Sequence, residues 1–214
     1  MTRKTTRRLA ELPSMPNVFT PPEMAARGGL ALCFDAKRPL VLELGCGRGE
    51  TTVDMAAADP DRNYLGVDIK GARVHRGAAA ALEHGVRNVA FLHSVVEQVV
   101  LLAGGEPIDE IWIRFPDPFP KPSKANRRLT SPRYLELYRR MLAPGGRVHF
   151  KTDSEILFGY TLEVLDQEKA RIHSVDENLA AATESTGPLS IQSSYECKWR
   201  ADGRTIRYVS FCLN

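Results

Sequence analysis

No stretch of the 214 residues stays apolar for long, and no run approaches the roughly 18 residues that a membrane span needs. Cysteine is scarce and scattered. Cys33, Cys46, Cys197 and Cys212 form no C-x-x-C pair and have no histidine at ligand spacing. The expectation is therefore reduced thiols and no metal site. A secretory signal is missing too: the charged start from Met1 to Arg8 is followed by no apolar segment, which leads us to expect a cytoplasmic protein. Repeats and low-complexity tracts are absent. Nor does one sign of charge dominate, since the formal net charge is only +3.

What is present reads as an ordinary globular chain, 43% apolar and 26% charged, long enough to bury one core without covalent staples. The distribution of charge says more than its sum. Arg3, Lys4, Arg7 and Arg8 open the chain, and Lys121, Lys124, Arg127, Arg128 and Arg133 follow one another with no acid between them. Such clusters suit a phosphate-binding surface, although a solvated tail and loop would look the same. Residues 1–20, with Pro13 and Pro16, read as a basic flexible arm, and residues 21–214 as a single domain.

Helical and strand patterns alternate through most of that domain. Thr20-Pro21-Pro22-Glu23 opens a helix. Strands are expected at Leu40–Leu44, Tyr64–Val67, Val89–Leu92, Ile111–Ile113 and Arg147–Lys151. Helices are expected at Glu50–Ala58, Ala72–His84 and Val95–Leu102, the last ending at Gly104-Gly105. A further helix starts at Ser131-Pro132 and carries Leu135, Tyr138 and Leu142 on one face before stopping at Ala143-Pro144. Alternation of this kind implies an α/β fold with a mostly parallel sheet and helices on both faces. Ser193–Trp199 and Thr205–Phe211 read as two strands of a C-terminal antiparallel hairpin, joined around Asp202-Gly203.

Glu43-Leu44-Gly45-Cys46-Gly47-Arg48-Gly49-Glu50 lies where the first of these strands turns into a helix. Glycines permit a tight turn and close approach to a ligand. The spacing is G-x-G-x-G rather than the dinucleotide G-x-G-x-x-G, and an acid precedes it. A carboxylate there would repel a pyrophosphate but would suit the ammonium of an amino-acid cofactor. Asp68, ending the next strand, is placed to accept from both ribose hydroxyls, or simply to cap a helix. These motifs resemble those of S-adenosylmethionine enzymes with a Rossmann-like class I methyltransferase fold. Ser94, after the third strand, falls near the expected adenine.

The most specific segment runs from Arg114-Phe115-Pro116-Asp117-Pro118-Phe119-Pro120-Lys121 through Arg127-Arg128-Leu129-Thr130-Ser131-Pro132. Asp117 stands between two prolines, which restrict its backbone on both sides. This segment, with Lys151-Thr152-Asp153 and Ser193-Ser194-Tyr195-Glu196…Gly203…Ile206, resembles the bacterial tRNA (guanine-N7-)-methyltransferase family. The landmarks run in family order from Leu40 to Phe211. The resemblance implies that S-adenosyl-L-methionine donates a methyl group to guanine N7 in tRNA, at guanine-46 of the variable loop, leaving S-adenosyl-L-homocysteine and 7-methylguanosine. It implies cofactor contacts from Glu43, Gly45, Gly47, Asp68, Ser94 and Asp117, with Asp117 also catalytic. Substrate contacts fall to Lys121, Asp153, Ser193 and Glu196, and Arg127 and Arg128 join the phosphate surface. Phe119, Ser94 and Ser193 depart from the family's usual tryptophan, Asp or Asn, and threonine. The rivals are a methyltransferase acting on another RNA or a small molecule, and a non-catalytic RNA-binding module with the same fold. Monomer and homodimer stay open.

Overall fold

In the computed structural model, residues 2–103, 106–179 and 187–213 are described, so the Gly104-Gly105 helix end expected above lies outside them. The chain forms two compact units, residues 1–108 and 109–214. The first holds α1 (Arg3–Glu11), β1 (Val18–Phe19), α2 (Pro21–Arg27), β2 (Leu40–Leu44), α3 (Glu50–Ala58), β3 (Asn63–Asp68), α4 (Gly71–Glu83), β4 (Val89–His93) and α5 (Val96–Ala103). Its strands lie in the order β1-β4-β3-β2 and all run parallel. Every position of β2 is buried, as befits a parallel strand covered on both faces. The register pairs Leu44 with Val67 and Asp68 with His93. The carboxyl ends of β2, β3 and β4 thus lie side by side, at the edge where open α/β sheets bind ligands.

Local chemistry explains the boundaries. In α2 the Glu23 carboxylate accepts from the backbone N–H and hydroxyl of Thr20, and Gly28 closes the helix at φ 97°. Residues 1–20, expected as an irregular arm, instead contain α1, which packs on α4. Leu9 and Leu12 rest on Gly71, where an added Cβ would come within 3.0 Å and 2.9 Å of them. Glu11 lies 2.8 Å from His75 Nε2. Two leucines three residues apart, the second followed by Pro13, are too few to show a readable period, and the surface that receives them belongs to a distant helix.

The second unit carries β5 (Ile108–Arg114), which begins at the boundary, then α6 (Pro132–Arg139), β6 (Leu142–Thr152), α7 (Glu155–Gln167), β7 (Arg171–Asp176), α8 (Ser194–Ala201) and β8 (Arg207–Cys212). Its strand order is β5-β6-β8-β7, with β8 antiparallel to both neighbours. Ile113, Leu135, Tyr138, Phe150, Leu165 and Phe211 are fully buried in it. The C-terminal antiparallel pair exists, but its partners are β7 and β8. The expected strand Ser193–Trp199 is a helix. Ser193 Oγ accepts from Glu196 N at 3.1 Å, an S-x-x-E helix start. Gly203, at φ 76°, ends that helix, with Gly203 N and Arg204 N donating to Arg200 O and Trp199 O. Asp-Gly chemistry serves a helix C-terminus as readily as a hairpin. The Ser131-Pro132 helix also stops early, at Arg139, so Leu142 opens β6; Pro144 bars a helical continuation. Among the described residues no helix is long and apolar enough to cross a membrane.

Candidate active site

Gly45, Gly47 and Gly49 all adopt positive φ, between 58° and 72°, a conformation that side chains resist. Gly45 N and Cys46 N both donate to Val67 O, so the loop leaves β2 still pinned to β3. Gly49 has no room for a side chain: an added Cβ would lie 2.6 Å from the Phe91 ring and 2.9 Å from Gly77 Cα. Helix α4 therefore packs straight onto the loop. Gly47 is the opposite case. A Cβ there would meet nothing closer than Gly45 O at 4.0 Å, so the loop has an open side.

Asp68 reaches that loop. Its Oδ2 accepts from Gly47 N at 2.9 Å and its Oδ1 from Lys70 N at 2.7 Å. Glu43, only 2% exposed, accepts from the hydroxyls of Thr51 and Thr52 at the start of α3. It thus faces the helix N-terminus, where a carboxylate is favoured. Ser94 is buried and donates to Gln98 Oε1 at 2.7 Å. Cys46 is buried, and burial first, then the Glu43 and Asp68 carboxylates, push its thiol well above the ordinary range. An open glycine cradle with an acid at the next strand end fits an adenosyl ligand with ribose hydroxyls.

In the second unit, Asp117 is exposed on the loop after β5. Phe115 and Phe119, two positions to either side of it, have φ 48° and 40°. For non-glycine residues such backbone costs about 1–3 kcal/mol each and persists only when the surroundings enforce it. Here they do. Phe115 N donates to Lys151 O at 2.8 Å, and its ring packs edge-on against Trp199, 4.9 Å between centroids. Arg128 donates to Pro118 O and to Phe119 O, the latter at 3.0 Å from Nη2, while its guanidinium lies 4.2 Å from the centre of the Tyr160 ring.

Arg128, expected on the phosphate surface, turns inward. At 5% exposure it clamps the loop from within. Arg127 does stand outside, over the Phe119 ring, and Lys121 and Lys124 are exposed beside it. Glu196, expected among the substrate contacts, is buried and paired. Its side chain and that of Lys151 are both 0% exposed and pair at 2.7 Å, with Arg200 bonding the same oxygen. Ser193 is engaged as the α8 cap, and the Asp153 carboxylate is held by Arg204 at 2.7 Å. Arg114 donates to Pro188 O and Ile191 O, fixing the segment that leads into α8.

A family model described as "Putative methyltransferase" matches residues 37–209. Curated relatives named tRNA (guanine-N(7)-)-methyltransferase include that of Christiangramia forsetii, 43% identical over 83% of this chain and 80% of its own. That of Cytophaga hutchinsonii is 36% identical over 99% and 98%. The chain belongs to this family. Its fold is that of the class I methyltransferases. The 16S rRNA methyltransferase KamB superposes with a TM-score of 0.61 at 16% identity, covering 85% of this chain and 89% of its own. A 16S rRNA (adenine(1408)-N(1))-methyltransferase from Catenulisporales acidiphilia, solved with its cosubstrate SAM, gives 0.61 at 18%, over 91% and 92%.

Against the family motifs, the structure adds residues that the sequence alone did not single out. Gly77 and Phe91 shape the glycine loop from α4 and β4. Tyr160 and Trp199 hold the Asp117 loop, together with Arg128, which the sequence pointed to for a different role. The adjacent arginines 127 and 128 carry no local signal of which one turns inward, and the contacts of Tyr160 and Trp199 exist only once distant elements pack.

Proposed function

We propose that this chain methylates N7 of a guanine in tRNA, using S-adenosyl-L-methionine and releasing S-adenosyl-L-homocysteine, in the cytoplasm, with residues 21–214 acting as one catalytic domain. The observation that carries this reading is the Asp117 loop: an exposed carboxylate between two strained phenylalanines, in a chain of this family.

Glu43, Gly45, Gly47, Asp68 and Ser94 would hold the cofactor, with Asp68 exchanging its backbone partners for the ribose hydroxyls. When bound, the cofactor supplies an electrophilic methyl group on a sulfonium. Guanine N7 has a lone pair and no proton, so the protein needs no base to activate it. The purine ring turns cationic instead. Asp117 would accept from the guanine N–H edge and stabilise that charge, so positioning and electrostatics carry the acceleration. Asp153 would supply a further acceptor once Arg204 releases it, and Ser193 a hydroxyl beside it. Lys121 and Arg127 would bind phosphates, which gives affinity without sequence reading.

Incubation with labelled cofactor and unmodified tRNA, followed by nucleoside analysis, tests the reading. The expected product is 7-methylguanosine. Label in another nucleoside, or none in tRNA, would overturn it.

A further inference from the structure

The basic start of the chain is not loose, and its charges are not alone. Helix α1 presents Arg3, Lys4 and Arg7 to solvent, while the α4 onset presents Lys70, Arg73 and Arg76. The two helices are pinned together by Leu9 and Leu12 on Gly71 and by Glu11 against His75. Of the six cations, Arg7 alone has a carboxylate partner, Glu11, at 3.4 Å. Among the described residues the other five have none.

This arrangement is costly as a purely internal device. Arg3 and Lys4 sit in the first turn of α1, which holds no acid, so they oppose the helix dipole. Like charges on helices packed together repel. Lys70, Arg73 and Arg76 recur every three residues, a stripe roughly 9 Å long at a helical rise of about 1.5 Å per residue. A polyanion laid across the paired helices would turn each of these penalties into a gain.

We infer that the outer faces of α1 and the first turns of α4 form a phosphate-binding surface for the tRNA sugar–phosphate backbone, additional to the basic loop after Asp117. The inference rests on the tRNA reading above. The surface contributes affinity and orientation and takes no part in the chemistry. Neutralising it should weaken tRNA capture while leaving turnover at saturating tRNA unchanged.

The test uses the full chain and unmodified tRNA, with binding measured across a series of salt concentrations. Two variants remove charge from the surface, Arg3→Gln with Lys4→Gln and Arg73→Gln with Arg76→Gln. A control removes two exposed cations elsewhere, Lys169→Asn with Arg171→Gln. Each surface variant should flatten the log–log salt dependence by about one to two units, since each neutralised phosphate contact contributes close to one. The control should keep the wild-type slope, and cofactor affinity should be equal in all four proteins. Wild-type slopes in both surface variants, with unchanged unfolding midpoints, would overturn the inference, as would an equal fall in the control. The tRNA reading is judged separately by 7-methylguanosine formation in the wild-type protein, so the two failures are distinguishable.

Discussion

Asp117 draws its chemistry from its neighbours' backbones. Held exposed between Phe115 and Phe119, its carboxylate is fixed in place, and under the proposed reaction such preorganised charge is worth far more than charge that must reorganise. Asp117→Ala should cut kcat at least about a hundredfold while changing cofactor affinity by less than about tenfold; equal turnover would remove this residue from the mechanism. Lys151 makes a different point. Burial first, then repulsion from Arg114 and Arg200, lowers its ammonium from 10.5 to about 8 against the pull of Glu196. Between about pH 8 and 10.5 the unfolded chain holds more of this proton than the folded one, so the Lys151 contribution makes stability rise with pH across that window. Below it, the charge and its burial cost are fully present. The difference in thermal midpoint between wild type and Lys151→Met should therefore grow in favour of wild type as pH rises through the window; parallel curves would refute this. Glu196→Gln should cost about 3–5 kcal/mol in urea unfolding, because it strands a buried Lys151 without its counter-charge.

At the level of elements, the glycine loop after β2 depends on helix packing as much as on its own glycines. Gly77 on α4 would place a Cβ 2.8 Å from Arg48 O and from Phe91 Cζ. Gly77→Ala should thus displace the loop, lower stability by about 1–3 kcal/mol and weaken cofactor binding by titration calorimetry. Gly85→Ala is the contrasting case, with φ 67° but open space. It should cost about 1 kcal/mol and leave cofactor affinity alone. Elements were readable where one signal ruled: β2, α3, β3, α4 and β4 follow from period and glycine punctuation to within a residue of their observed ends. The pattern is ambiguous where the same residues serve two structures. The Ser193…Glu196 pair and Asp202-Gly203 bracket a helix of the same aromatic content as the strand expected there.

Across the whole molecule, a net charge of +3 understates a surface on which basic residues are grouped and one arginine of the loop group is hidden. Arg127→Gln should flatten the salt dependence of tRNA binding by about one unit, whereas Arg128→Gln should leave that slope unchanged and lower kcat by loosening the Asp117 loop. A reversed result would exchange their roles. The order of residues was enough to place the glycine loop, Asp68 and the proline-bound Asp117, because backbone freedom and its restriction are properties of local chain chemistry. It was enough for the family as well. Which charges face water was settled by packing: Lys151, Glu196 and Arg128 are buried because helices and strands far apart in the chain close over them. Burial depends on what lies opposite a side chain, and no local pattern carries that information.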